Sequence, residues 1–158
     1  MPDYPPLPPQ VVGQAESALS ALLAPLLAGA KLTTAQWFVL ATAATRPGAF
    51  SRTELVAAVA ASRKANPDDI AAVVAELTEA GALAPGDPVT LTPAGQTRVA
   101  GVQDRLTGYA GALFDFPAAD LATAGRVLGI MTARANALLE HAGPVAGDRG
   151  SAPAAPTR

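Results

Sequence analysis

A block running from Leu32 to Gly95 constrains this chain more than any other feature. It opens with Leu32-Thr33-Thr34-Ala35-Gln36-Trp37-Phe38-Val39-Leu40 and closes with Val89-Thr90-Leu91-Thr92-Pro93-Ala94-Gly95. Thr33 or Thr34 is placed to cap a helix carrying Trp37, Phe38, Leu40 and Ala41, which Arg46-Pro47-Gly48 stops. Ser51 and Glu54 stand in capping-box spacing before Leu55, Val56 and Val59. Asn66 then precedes Pro67, with Asp68 and Asp69 at the positive end of a helix whose apolar stripe is Ile70, Val73, Val74 and Leu77. Gly81 ends that stripe. Leu83 to Leu91, turning at Pro85-Gly86-Asp87-Pro88, reads as a short hairpin. Thr92 and Pro93 open another helix. The order is helix, helix, helix, hairpin, helix.

Helical spacing continues on both sides. Apolar residues fall at 12, 15, 19, 22 and 26, with Leu23 and Leu27 widening the stripe. Pro25 lies inside it, so a kink near Ala21 or an early end is expected. After the block, Val99, Val102, Leu106, Tyr109 and Leu113 alternate by three and four. Past Pro117 the pattern returns at Leu121, Ala124, Leu128, Met131, Ala135 and Leu138. These are helix–helix seams, and a small module does not need all of them for its own core. Their burial against a second copy of the chain is expected, giving a homodimer built by helices at about 11–30 and 92–141. Residues 1–10, with five prolines, read as a disordered arm, and residues 142–158 as a disordered tail. The body, 11–141, is expected to be a single domain with its central module at about 31–98.

Composition narrows the classes. At 158 residues the chain has one domain's worth of length. Half of it is hydrophobic but only 4% aromatic, which suits thin, closely packed helices. The absence of cysteine excludes disulfides, thiolate nucleophiles and cysteine-based zinc sites, and it is compatible with a cytoplasmic protein. The first ten residues lack the basic start of a signal peptide. Ser17 to Ala30 is uncharged but too short for a bilayer of about 30 Å, and Pro25 interrupts it. No membrane association is expected.

Leu32-Thr33 with Gln36-Trp37 and Leu40, then Glu54-Leu55, then Leu77, Gly81 and Leu83, and finally Leu91-Thr92-Pro93-Ala94-Gly95 together resemble the MarR family of regulators. The resemblance extends over most of residues 11–141. It implies a mainly α fold of the α+β type: a winged helix-turn-helix module with flanking N- and C-terminal dimerisation helices. It further implies an intertwined homodimer, a recognition helix from Pro67 to Ala80, and a small-molecule pocket between dimer helices and winged module.

Three features depart from that pattern. The exposed face of the recognition helix offers Asp68, Asp69, Ala72, Ala75, Glu76 and Glu79, where the family usually places polar and basic side chains. Carboxylates repel phosphates, and alanine has no donor for a base edge. The stretch Leu83–Leu91 holds no Arg or Lys. The segment Ala61–Asn66 looks longer than usual and holds Arg63 and Lys64. From Lys31 to Arg98 six bases meet six acids, so the module is neutral. Arg52, Arg63 and Lys64, with Thr53 as a hydroxyl donor, are the local basic group able to meet double-stranded DNA. The alternative is that they are ordinary solvated charges.

Catalytic patterns are scarce. His141 is the only histidine, and its place at the end of the last helix suits the helix dipole. Asp68 and Asp69 diverge on a helix and serve its N-terminus. No glycine-rich phosphate loop occurs, no metal site or cofactor is expected, and an enzyme is the less favoured class. Trp37, Phe38, Tyr109, Phe114 and Phe116 are either core or the walls of a pocket for a hydrophobic or aromatic small molecule. Arg105 or Arg126 is available for an anionic ligand. The leading expectation is a ligand-responsive transcriptional regulator that binds operator DNA as a homodimer. The alternative is a MarR-like fold that has lost DNA binding and acts on a small molecule through the inter-module pocket.

Overall fold

In a computed structural model, residues 9–142 are described, and they form six helices. These are α1 (Pro9–Gly29), α2 (Thr34–Thr45), α3 (Arg52–Arg63), α4 (Pro67–Glu79), α5 (Pro93–Leu113) and α6 (Ala118–Ala142). The expected tail from residue 143 lies outside the described residues. So does most of the expected N-terminal arm, because α1 already begins at Pro9. The chain divides into two compact units, one ending at Leu113 and the other beginning at Phe114.

The first unit is built on local rules that the sequence states openly. Thr33 caps α2 by accepting from the Gln36 N–H at 3.2 Å, while the Gln36 side chain accepts from the Thr33 N–H at 3.0 Å. Ser51 and Glu54 make the same reciprocal box at the start of α3. The Ser51 backbone N–H and then its hydroxyl hold the Glu54 carboxyl below the usual carboxylate range. Asn66 caps α4 by accepting from the Asp68 N–H at 3.0 Å, with Pro67 at the first helical position. Gly81, at φ +69°, closes α4, and the Ala82 N–H donates back to the Leu77 carbonyl at 2.9 Å.

The core of this unit gathers one face from each helix. Val39 and Leu40 of α2, Leu55 and Val59 of α3, Ile70, Val74 and Leu77 of α4, and Val99 and Val102 of α5 are buried together with Leu83 and Val89. No polar or charged side chain is buried among the described residues. Helices α2, α3 and α4 pack on one another, and α5 returns across α2. The end of α1 joins through Leu26 and Leu27, packing on α5 and α2.

Four local expectations need correction. Of the two outcomes expected at Pro25, the early end is not found: α1 runs on to Gly29. The missing Pro25 N–H costs one bond, while continuing the helix carries Leu26 and Leu27 into the core. As a result Gln10–Gly29 is long and apolar enough, by length and composition alone, to cross a membrane. Glu16, which accepts from the Ser20 hydroxyl at 2.8 Å, is exposed on this helix and would sit within any such span. Third, half of the segment Ala61–Asn66 is helix: α3 continues to Arg63, and Lys64 turns the chain in the left-handed region at φ 54°. The Ala65 N–H then donates to the Ala60 carbonyl at 3.0 Å, leaving a short, tight turn into α4. Fourth, the hairpin is reduced to one antiparallel bridge, Leu83 to Leu91. Four turn residues between arms of two and three residues leave little chain for a ladder.

The second unit contains α6. Leu121, Leu128, Met131 and Leu138, the residues of the expected seam, are 37%, 45%, 41% and 72% exposed. Val127, Ile130 and Leu139 are exposed as well.

Candidate nucleic-acid interface

The helix-turn-helix is α3, the turn Lys64–Asn66, and α4. The buried face of α4 fixes its orientation, so Asp68, Asp69, Ala71, Ala72, Ala75, Glu76 and Glu79 are all exposed. Four carboxylates and no base lie on this helix. It presents no cation for a phosphate and, beyond the half-buried Thr78, no side-chain donor for a base edge.

Arg52 begins α3 but is engaged inside the unit. Its backbone N–H donates to Asp87 Oδ1 at 3.0 Å, and its Nη1 donates to Thr78 Oγ1 at 3.3 Å. Thr78 in turn donates to the Val74 carbonyl at 2.8 Å. One residue thus ties the turn after Leu83 to the last turn of α4. A second tie runs beside it, from the Val89 N–H to the Phe50 carbonyl at 2.8 Å. Arg63 lies over the Phe38 ring with its guanidinium carbon 4.1 Å from the centroid, a cation–π contact linking α3 to α2. Thr53 and Lys64 are exposed. The four expected DNA contacts are therefore split: Arg52 and Arg63 have partners within the fold, and Lys64 and Thr53 face solvent.

The expected pocket residues are dispersed. Trp37 is buried in the core, 7% exposed. Phe38 is half-buried under Arg63. Tyr109 is exposed on α5, while Phe114 and Phe116 belong to the second unit and are exposed there. Arg105 lines a small groove of about 170 Å³ with Arg98, Leu26, Gly29 and Gly101, where its guanidinium lies over Gly29. Arg126 is exposed on α6. A larger cleft of about 440 Å³ opens elsewhere in the first unit, among Ala44, Pro47, Thr90, Leu91, Gln96, Val99, Ala100 and Gln103. None of these is charged or aromatic, so no residue type in the sequence marks the cleft. Among the described residues no cluster of His, Asp and Glu is placed to hold a metal ion.

No protein-family sequence model and no curated protein sequence matches the chain. Solved structures do. Ligand-free NadR superposes with a TM-score of 0.65 at 17% identity, covering 78% of this chain and 94% of its own. The chain has the MarR-type winged-helix fold. CouR from Rhodococcus jostii RHA1, bound to p-coumaroyl-CoA, gives a TM-score of 0.64 at 19% identity over 75% of this chain and 86% of CouR. The Mycobacterium tuberculosis MarR family protein Rv2887, in complex with DNA, gives 0.59 at 23% identity over 82% and 98%. Within this MarR-type fold, α4 occupies the recognition-helix position of the helix-turn-helix, and the loop bridged at Leu83 and Leu91 is a minimal wing.

Proposed function

We propose that the chain is a ligand-responsive transcription regulator of the cytoplasm, acting on operator DNA as a homodimer. The observation that carries this reading is the arrangement of α3, α4 and the wing as a rigid helix-turn-helix, pinned by Arg52 to Asp87 and Thr78. Its likeness to a DNA-bound MarR protein over most of both chains supports the same reading. The body, residues 11–141, then acts as one MarR-like domain. The exposed apolar residues of α1 (Val11, Leu19, Leu22) and α6 supply the surface that a second copy covers. DNA contact rests on Thr53 and Lys64, with Arg52 and Arg63 free to bind only by leaving their present partners.

A second reading is favoured by one observation, the four carboxylates on α4. On that reading the MarR-type fold has given up DNA and works through a bound small molecule alone. Selection from a random pool of duplexes by the purified homodimer separates the two. The regulator should enrich a pseudo-palindrome with half-site centres about one helical turn, 10–10.5 base pairs, apart. A folded dimer that enriches no shared sequence would establish the second reading, and a monomer at micromolar concentration would overturn the dimer.

A further inference from the structure

The cleft bounded by the end of α2, the wing exit and α5 has a lining that specifies what can enter it. Ala44, Pro47, Leu91, Val99 and Ala100 make it apolar, and Thr90, Gln96 and Gln103 supply neutral hydrogen-bonding groups. No charged side chain lines it. At about 440 Å³ it falls in the size range of small-molecule sites. An anion entering it would lose hydration without gaining a counter-charge, whereas a neutral amide or carbonyl compound would keep its hydrogen bonds on the glutamines. We infer that this cleft is a binding site for an uncharged, largely apolar small molecule bearing an amide or carbonyl group. It is distinct from the groove at Arg98 and Arg105, whose two guanidinium groups suit an anion.

The cleft also touches the part of the fold that sets the helix-turn-helix. Thr90 accepts through its carbonyl from the Ala84 N–H at 2.9 Å, closing the wing. The preceding residue, Val89, donates to Phe50, and Asp87 accepts from Arg52, which holds Thr78 of α4. A ligand seated against Thr90 and Leu91 therefore acts on a chain of contacts ending at both helices of the motif. This consequence rests on the regulator reading; the binding itself does not.

The test compares 1-naphthamide with 1-naphthoate, which share a ring system and differ in charge. Binding to the full chain is measured by calorimetry, without DNA, so failure of DNA binding and failure of this site are separate results. The amide should bind at least about tenfold more tightly than the carboxylate, a difference of about 1.4 kcal/mol. Ala100→Phe should abolish amide binding while leaving the fold intact, because Ala100 is exposed on α5. Gln103→Leu should weaken the amide without filling the cleft. Equal or tighter binding of the carboxylate, amide binding that survives Ala100→Phe, or no binding of the amide at all would each overturn the inference.

Discussion

Gly95→Ala should unfold the first unit or lower its stability by about 3 kcal/mol or more, a cost at the top of the range for overpacking. Gly95 is buried in the first turn of α5, where a Cβ would run into the Ala82 backbone carbonyl and also meet Leu91 Cδ2 at 3.3 Å. A flexible side chain can rotate away, but this carbonyl is held. It accepts from the Thr92 N–H at 3.1 Å, and Thr92 Oγ1 donates to the Gly81 carbonyl at 2.6 Å while accepting from the Gly95 N–H at 3.1 Å. The same few atoms end α4, close the wing and start α5, so relief at one requires movement of all three. Gly108→Ala is the matched control. It lies on the same helix with nothing within 4 Å, and should stabilise by up to about 1 kcal/mol through helix propensity alone. Thermal unfolding of both variants checks the pair: a fall of about 10 °C or more is expected for Gly95→Ala. A Gly95→Ala protein as stable as wild type would show that the junction between Ala82 and Gly95 is not close-packed.

Replacing Glu76 and Glu79 by Lys should strengthen non-specific DNA binding by roughly 100-fold at low salt, with Asp68 and Asp69 left in place as helix-capping charges. Both glutamates are exposed on α4, on the face opposite the buried Ile70, Val74 and Leu77. Each new phosphate contact steepens the dependence of log affinity on log salt by about 0.9, so the dimer's slope should grow by up to about 4. Anisotropy on a duplex of arbitrary sequence measures both quantities. Unchanged affinity and slope in the doubly substituted protein would mean that α4 does not face DNA, and would favour the pocket-only reading.

What the sequence made legible was whatever depends on neighbours along the chain. The capping boxes at Thr33 and Ser51, Asn66-Pro67 before α4, Gly81 after it, and the apolar stripe Ile70–Leu77 all reach no further than one or two helical turns. Each is found as expected. The early end expected at Pro25 is not found, because the burial of Leu26 and Leu27 beyond it outweighs the local penalty. The end of α3 carries no sequence signal, because a left-handed cap is normally announced by glycine, and here lysine adopts it.

The site was less legible for a related reason. Arg52 carries the right charge at the right end of α3, but its partners are 26 and 35 residues away. Nothing in its neighbourhood announces either Thr78 or Asp87. Arg63 likewise meets Phe38 across two helices. The larger cleft is lined by alanine, proline, glutamine and threonine, residue types that signal nothing on their own. The acidic face of α4, by contrast, was plain from periodicity, because burial of Ile70, Val74 and Leu77 leaves Asp68, Ala72, Ala75, Glu76 and Glu79 no other side.

The most direct test of the regulator reading is fluorescence anisotropy of the wild-type protein on DNA from its own upstream region, titrated from about 50 to 200 mM salt. Specific binding is expected, with an unusually shallow slope. Arg52, Arg63 and Lys64 of both protomers together allow a slope no steeper than about −5, and Lys64 alone one near −2. A folded dimer that binds no such DNA at the lowest salt would contradict the regulator and leave the MarR-type fold as a small-molecule-binding protein.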